Sequence, residues 1–126
     1  MTAWTNDELT SIGTAEELQL SSARRDGTLG NPRTIWVVRV GDDLYVRSMY
    51  GRGGGWFPGT QARHQGNIRA GGVDKDVTFA DADADADLND EIDAAYRDKN
   101  RRYGPNIIGG VVNAEARAAT IKLIPR

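Results

Sequence analysis

The feature that most constrains the fold is a hairpin that runs straight into a glycine loop. Thr34–Val40 reads as a strand, Gly41-Asp42-Asp43 as a turn, and Leu44–Met49 as the returning strand. With a three-residue loop, Trp36, Val38 and Val40 face Ser48, Val46 and Leu44, while Arg39, Tyr45 and Arg47 fall on the opposite face. One face is core, and the other meets water or a partner. Residues 47–63 follow as Arg-Ser-Met-Tyr-Gly-Arg-Gly-Gly-Gly-Trp-Phe-Pro-Gly-Thr-Gln-Ala-Arg. Glycines let backbone N–H groups approach a ligand, and a helix start favours an anion. Trp56 and Phe57 offer a flat apolar wall, with Arg47, Arg52 and Arg63 supplying positive charge. The stretch suits a planar, anionic ligand; the plainer alternative is a hairpin loop with a hydrophobic anchor.

The remaining elements are short. Thr5-Asn6-Asp7-Glu8 is a capping box that opens a helix reaching about Ile12, and Thr14-Ala15-Glu16-Glu17 repeats the signature. Leu18–Arg25 alternates as a strand, and residues 26–32 are turn chemistry. Trp56–Gln65 is a short helix with Pro58 near its start. Asn67–Ala70 and Asp76–Phe79 form a hairpin around Gly71-Gly72. Leu88–Tyr103 is the strongest helix, with Asp87 as its cap and Gly104-Pro105 as its stop. Ala119–Ile124 is a final strand. Hairpin-like connections and mostly short helices predict a mainly β (α+β) fold, a small antiparallel barrel or roll, in a single domain over residues 1–126.

A formal net charge of −2 conceals an asymmetry. Residues 24–72 carry eight Arg against three Asp, and residues 74–98 carry ten acids against Lys75 and Arg97. Thirteen Arg against three Lys suit planar, bidentate recognition of phosphate or carboxylate, although a high-GC genome gives the same bias. The overall acidity and the lack of Lys clusters argue against nucleic acid. No apolar run reaches the ~20 residues needed to span a bilayer, and the polar, acidic start is not a secretory signal, so a cytoplasmic protein is expected.

Asp81-Ala-Asp-Ala-Asp-Ala-Asp87 lacks the Gly and Glu positions of a calcium loop in either register, and reads as an acidic linker that caps the next helix. His64 is the only histidine and there is no Cys, so no metal site is expected and no triad is supported. No protein-borne nucleophile or acid–base set stands out, and the catalytic residues stay unassigned. If the chain is an enzyme, a cofactor carries the chemistry.

Arg24, Arg25, Gly27, Pro32-Arg33-Thr34, Ser48, Gly51–Gly55, Trp56 and Ala62, followed by Gly66-Asn-Ile-Arg-Ala-Gly-Gly72, resemble in order the flavin- and deazaflavin-binding split barrels. These are the nitroreductase-like and pyridoxamine-phosphate-oxidase-like proteins, and within them the chain is most similar to an uncharacterised bacterial family of small proteins. The likeness is good over residues 18–80. Gly59-Thr60 stand where the deazaflavin enzymes carry Asn. The resemblance implies a split β-barrel, a homodimer that uses the Arg39/Tyr45/Arg47 face, and FMN or a deazaflavin as cofactor. It implies an oxidoreductase acting on a small organic molecule. By the same resemblance Arg24, Arg25, Arg33 and Thr34 would hold the anionic tail, Ser48, Gly54, Gly55 and Trp56 would meet the ring, and Phe57, Tyr96 and Tyr103 would border substrate. The alternative is a cofactor-free small-molecule-binding or natural-product tailoring protein that uses the same pocket.

Overall fold

In the computed structural model, which describes residues 3–126, seven antiparallel strands make one sheet in the order β2-β1-β5-β6-β7-β4-β3. The strands are β1 (Leu18–Ser22), β2 (Arg33–Ile35), β3 (Val38–Val40), β4 (Asp43–Arg47), β5 (Gln65–Ala70), β6 (Val73–Asp81) and β7 (Thr120–Pro125). The sheet curls into a split barrel with short flanking helices, α1 (Asn6–Thr14), α2 (Phe57–Arg63), α4 (Pro105–Val112) and α5 (Ala114–Ala118), and one longer helix, α3 (Ala86–Lys99).

Two cores result. Leu18, Leu20, Leu44, Val46, Ile68, Val77, Phe79, Ile121 and Leu123 fill the concave face, closed by Leu9 and Ile12 of α1. Trp4 seals one end, its indole N–H donating to the Leu123 carbonyl at 2.9 Å. A second core lies on the other face of β3 and β4, where Val38 and Tyr45 pack against Ile92, Tyr96 and Val111 of α3 and α4.

The strand pairing and the second core correct three expectations. The hairpin turns on Gly41 and Asp42 alone, pairing Val38 with Tyr45, Arg39 with Leu44 and Val40 with Asp43. A turn one residue shorter shifts the cross-strand partners expected for Trp36, Val38 and Val40. The expected strand from Thr34 also breaks at Trp36-Val37: β2 leaves to pair with β1, and β3 pairs with β4. Tyr45 and Arg47 do share a face, but Arg39 pairs with Leu44 and falls on the opposite one, and α3 covers Tyr45 and Arg47, leaving them 3% and 2% exposed. They are therefore not available as a dimer surface.

Local chemistry explains the helix ends. The Thr5 hydroxyl accepts from the Glu8 N–H while the Glu8 carboxylate accepts from the Thr5 N–H, a complete capping box. The second such signature, at Thr14, starts no helix, because α1 ends there. α3 is capped by Asp85, whose carboxylate accepts from the Leu88 N–H at 3.0 Å, two residues earlier than expected. α2 ends at His64 with φ +55°, where its N–H donates to the Thr60 carbonyl. His64 is thus a left-handed helix cap, a conformation in which His is enriched.

Candidate functional site

β1 and β2 form a ribbon at one edge of the sheet, with Leu20 opposite Arg33, Gln19 opposite Thr34 and Leu18 opposite Ile35. The glycine loop after β4 and the start of α2 lie against this ribbon, and two adjoining cavities open between them. The larger, 430 Å³, is walled by Trp36, Met49, Tyr50 and Trp56, with Glu17, Arg33 and Thr34 at its border. The smaller, 310 Å³, is polar and takes Ser22, Arg24, Asn31 and Arg33. Arg33, Gly55 and Trp56 border both, so the two form one groove with an apolar chamber and a basic end. Each is within the size range of small-ligand sites.

Arg24 and Arg33 are exposed, and among the described residues neither has an ion-pair partner. Two guanidiniums left unneutralised beside one polar cavity present several directed N–H donors to an anion. Arg47, which also borders the larger cavity, behaves differently. Its Nε donates to Thr120 Oγ at 2.9 Å, Nη1 to Asp93 and to the Val111 carbonyl, and Nη2 to the Asn89 carbonyl and Oδ1. All five N–H groups are used inside the protein, so Arg47 holds α3, α4 and β7 onto β4 and has none left for a ligand.

The structure brings Arg24, Arg33, Thr34, Gly55 and Trp56 together at the groove. The others sit elsewhere. The Arg25 side chain is exposed, and its carbonyl, with that of Arg24, receives Arg63 Nη1 at 3.0 and 3.3 Å. Ser48 is buried beneath the loop, where its hydroxyl accepts from the Tyr50 N–H at 3.3 Å. Gly54 faces Tyr50: a Cβ there would lie 2.7 Å from the Tyr50 Cβ, so this glycine accommodates the tyrosine. Phe57 lies in the concave core at 1% exposure, with the Arg52 guanidinium 5.0 Å above its ring. Tyr96 lies in the second core with its ring 5.7 Å from the Arg47 guanidinium, and burial pushes its hydroxyl above the usual phenol range. Neither Phe57 nor Tyr96 borders the groove. Tyr103 stacks behind Trp36 at 5.1 Å and bonds Glu16 through its hydroxyl, so it braces the wall.

Sequence reasoning missed Glu17, Asn31, Trp36 and Tyr50 as groove residues. For Glu17 and Trp36 the missing information was the pairing of β1 with β2, which the broken strand concealed. Among the described residues no helix is long and apolar enough to cross a membrane.

The fold has solved counterparts. The conserved hypothetical protein Rv2991 from Mycobacterium tuberculosis superposes with a TM-score of 0.66 at 6% identity, over 99% of this chain and 81% of that one. A Listeria innocua protein described as a candidate pyridoxamine 5'-phosphate oxidase gives 0.61 at 11% identity, over 96% and 90%. A protein described as an F420 reductase gives 0.52 at 16%, over 94% and 90%. At these identities the likeness shows a shared fold. No curated protein matches the sequence. A family model described as "Uncharacterized protein conserved in bacteria (DUF2255)" matches residues 8–123.

Proposed function

The chain belongs to that bacterial family, and we propose that it is a flavin- or deazaflavin-dependent oxidoreductase of a small organic molecule. The observation that carries the reading is the groove itself, where an aromatic chamber and an unneutralised arginine pair share the Trp56 wall. A ligand filling both would have a planar apolar part and an anionic tail. The residues present fit such a group: Arg24 and Arg33 would hold the tail, and Trp56, Trp36 and Gly55 would flank the ring. When bound, the cofactor supplies hydride transfer; the chain supplies binding, orientation and exclusion of water. The fold shared with the proteins described as an F420 reductase and a candidate pyridoxamine 5'-phosphate oxidase supports the same direction.

Fluorescence titration with FMN and with a deazaflavin tests this. Wild-type protein should bind at least one of them. Arg33→Ala should lose a charge-assisted contact of roughly 1.5–3 kcal/mol, about tenfold or more in affinity, and the loss should shrink as salt rises. A protein that stays colourless and binds neither compound would favour the cofactor-free alternative.

A further inference from the structure

We propose that the end of the groove opposite the arginines is built for a protonated amine, so that the molecule sharing the groove with the cofactor is a small ammonium-bearing compound. This rests on reading Arg24 and Arg33 as the anionic end.

The register of the β1–β2 ribbon orders the groove. Ser22 and Arg24 lie at one end, Arg33 pairs with Leu20 in the middle, and Ile35 pairs with Leu18 towards the other end. Glu17 and Trp36, each one residue beyond the last pair of the ribbon, both border the larger cavity. Glu17 stands three residues from the Leu20–Arg33 pair, roughly 10 Å at the rise of a strand. The groove is therefore bipolar along its length.

The carboxylate at that end is available. Among the described residues Glu17 has neither an ion-pair partner nor a side-chain hydrogen bond. Its neighbour Glu16 is engaged instead, receiving both Arg102 and the Tyr103 hydroxyl. That contact holds Tyr103, and Tyr103 stacked on Trp36 steadies the wall beside Glu17. Trp36, Tyr50 and Trp56 add aromatic surface to the same chamber, and their negative ring faces favour a cation. The one other cation bordering the chamber near this end, Arg47, is buried and neutralised by Asp93. An ammonium beside Glu17 thus meets one carboxylate and aromatic faces, while the nearest unpaired guanidinium is the one assigned to the cofactor's tail.

The test uses phenethylammonium and its neutral isostere 2-phenylethanol, titrated by tryptophan fluorescence into the protein with and without FMN. The ammonium compound should bind about tenfold more tightly than the alcohol, the scale of one charge-assisted contact. Glu17→Gln, a near-isosteric change at an exposed position, should bring the two to equal affinity while FMN affinity stays within about twofold. Equal binding of both probes to the wild type, binding of neither, or a preference that survives in Glu17→Gln would overturn the proposal. FMN failing to bind while the ammonium preference depends on Glu17 would count against the cofactor reading and support the amine site.

Discussion

At the scale of single residues, the two most constrained cations of the second core are structural. Arg47 is buried with Asp93, which also receives Arg117 at 2.7 Å. A charge pair removed from water is held together by complete hydrogen bonding, and removing one partner leaves the other uncompensated. Asp93→Ala should therefore cost about 3–5 kcal/mol in urea unfolding, with FMN affinity at saturating stability little changed. Loss of binding without loss of stability would return Arg47 to the ligand site. Lys99 is the second case. Its ammonium donates to the Val37 carbonyl at 2.6 Å, and partial burial without a carboxylate lowers its pKa to about 8 from 10.5. A base whose folded pKa is depressed carries a penalty that is fully present below the folded value. The unfolded chain binds the extra proton between the two values, so stability should rise with pH from about 8 upward. Tyr45, whose folded pKa is raised by burial, acts in the opposite sense as pH passes 10, so the useful window ends near 9.5. Lys99→Met should flatten the rise between pH 8 and 9.5 in thermal melts; an unchanged slope would assign it to another group.

At the scale of elements, the sequence was legible wherever a local rule decides the structure. The Thr5 capping box, the hairpin centred on Gly71-Gly72, β7 and the existence of α3 all follow from caps, turns and periodicity. It was not legible where packing decides. Trp36-Val37 breaks an apparently continuous strand because β2 and β3 pair with different neighbours. α4, with the sequence Pro-Asn-Ile-Ile-Gly-Gly-Val-Val, has poor helix formers and no polar stripe; it forms against α3, with Val111 buried. The α3 boundary shows the limit within one motif. In an alternating Asp-Ala run several aspartates are plausible caps, and only the three-dimensional path selects Asp85. The neighbouring acids have other tasks: Asp81 accepts from Gln61, and both Asp81 and Asp83 lie 3.8 Å from Arg52. Asp85→Ala should cost about 0.5–2 kcal/mol, whereas Asp87→Ala should stay within about 0.5 kcal/mol. Chemical denaturation of the two variants separates them, and equal losses would undo the cap assignment.

At the scale of the whole molecule, the groove exists because two cores meet beside an open edge. Trp56 packs on the concave core and Trp36 on the outer one, and the glycine loop spans the gap between them. This explains how far the site could be read in advance. Gly55 and Trp56 belong to a loop whose chemistry is local, and Arg24, Arg33 and Thr34 are legible through the family resemblance, whereas Phe57 and Tyr96 are aromatics that the cores absorbed. The same layout bears on assembly. With Tyr45 and Arg47 covered, a homodimer needs another surface, and the glycine loop with the neighbouring α4 offers one: Met49 is 40% exposed, Tyr50 75% and Ile107 49%. Met49 also lies beside α4, its Cε 3.6 Å from where a Cβ on Gly110 would stand, so the loop and helix form adjacent apolar surface. Apolar groups gathered at a surface favour association by removing that area from water. Sedimentation at micromolar concentration should therefore report about twice 13.7 kDa, and Ile107→Glu should shift the protein toward monomer without lowering its melting temperature as a monomer. Because Met49 and Tyr50 of the patch border the larger cavity, a ligand that prefers the paired form should strengthen the dimer by mass action, so FMN should raise the dimer fraction of Ile107→Glu. A wild-type protein that binds FMN yet stays monomeric would show that one chain completes the groove alone.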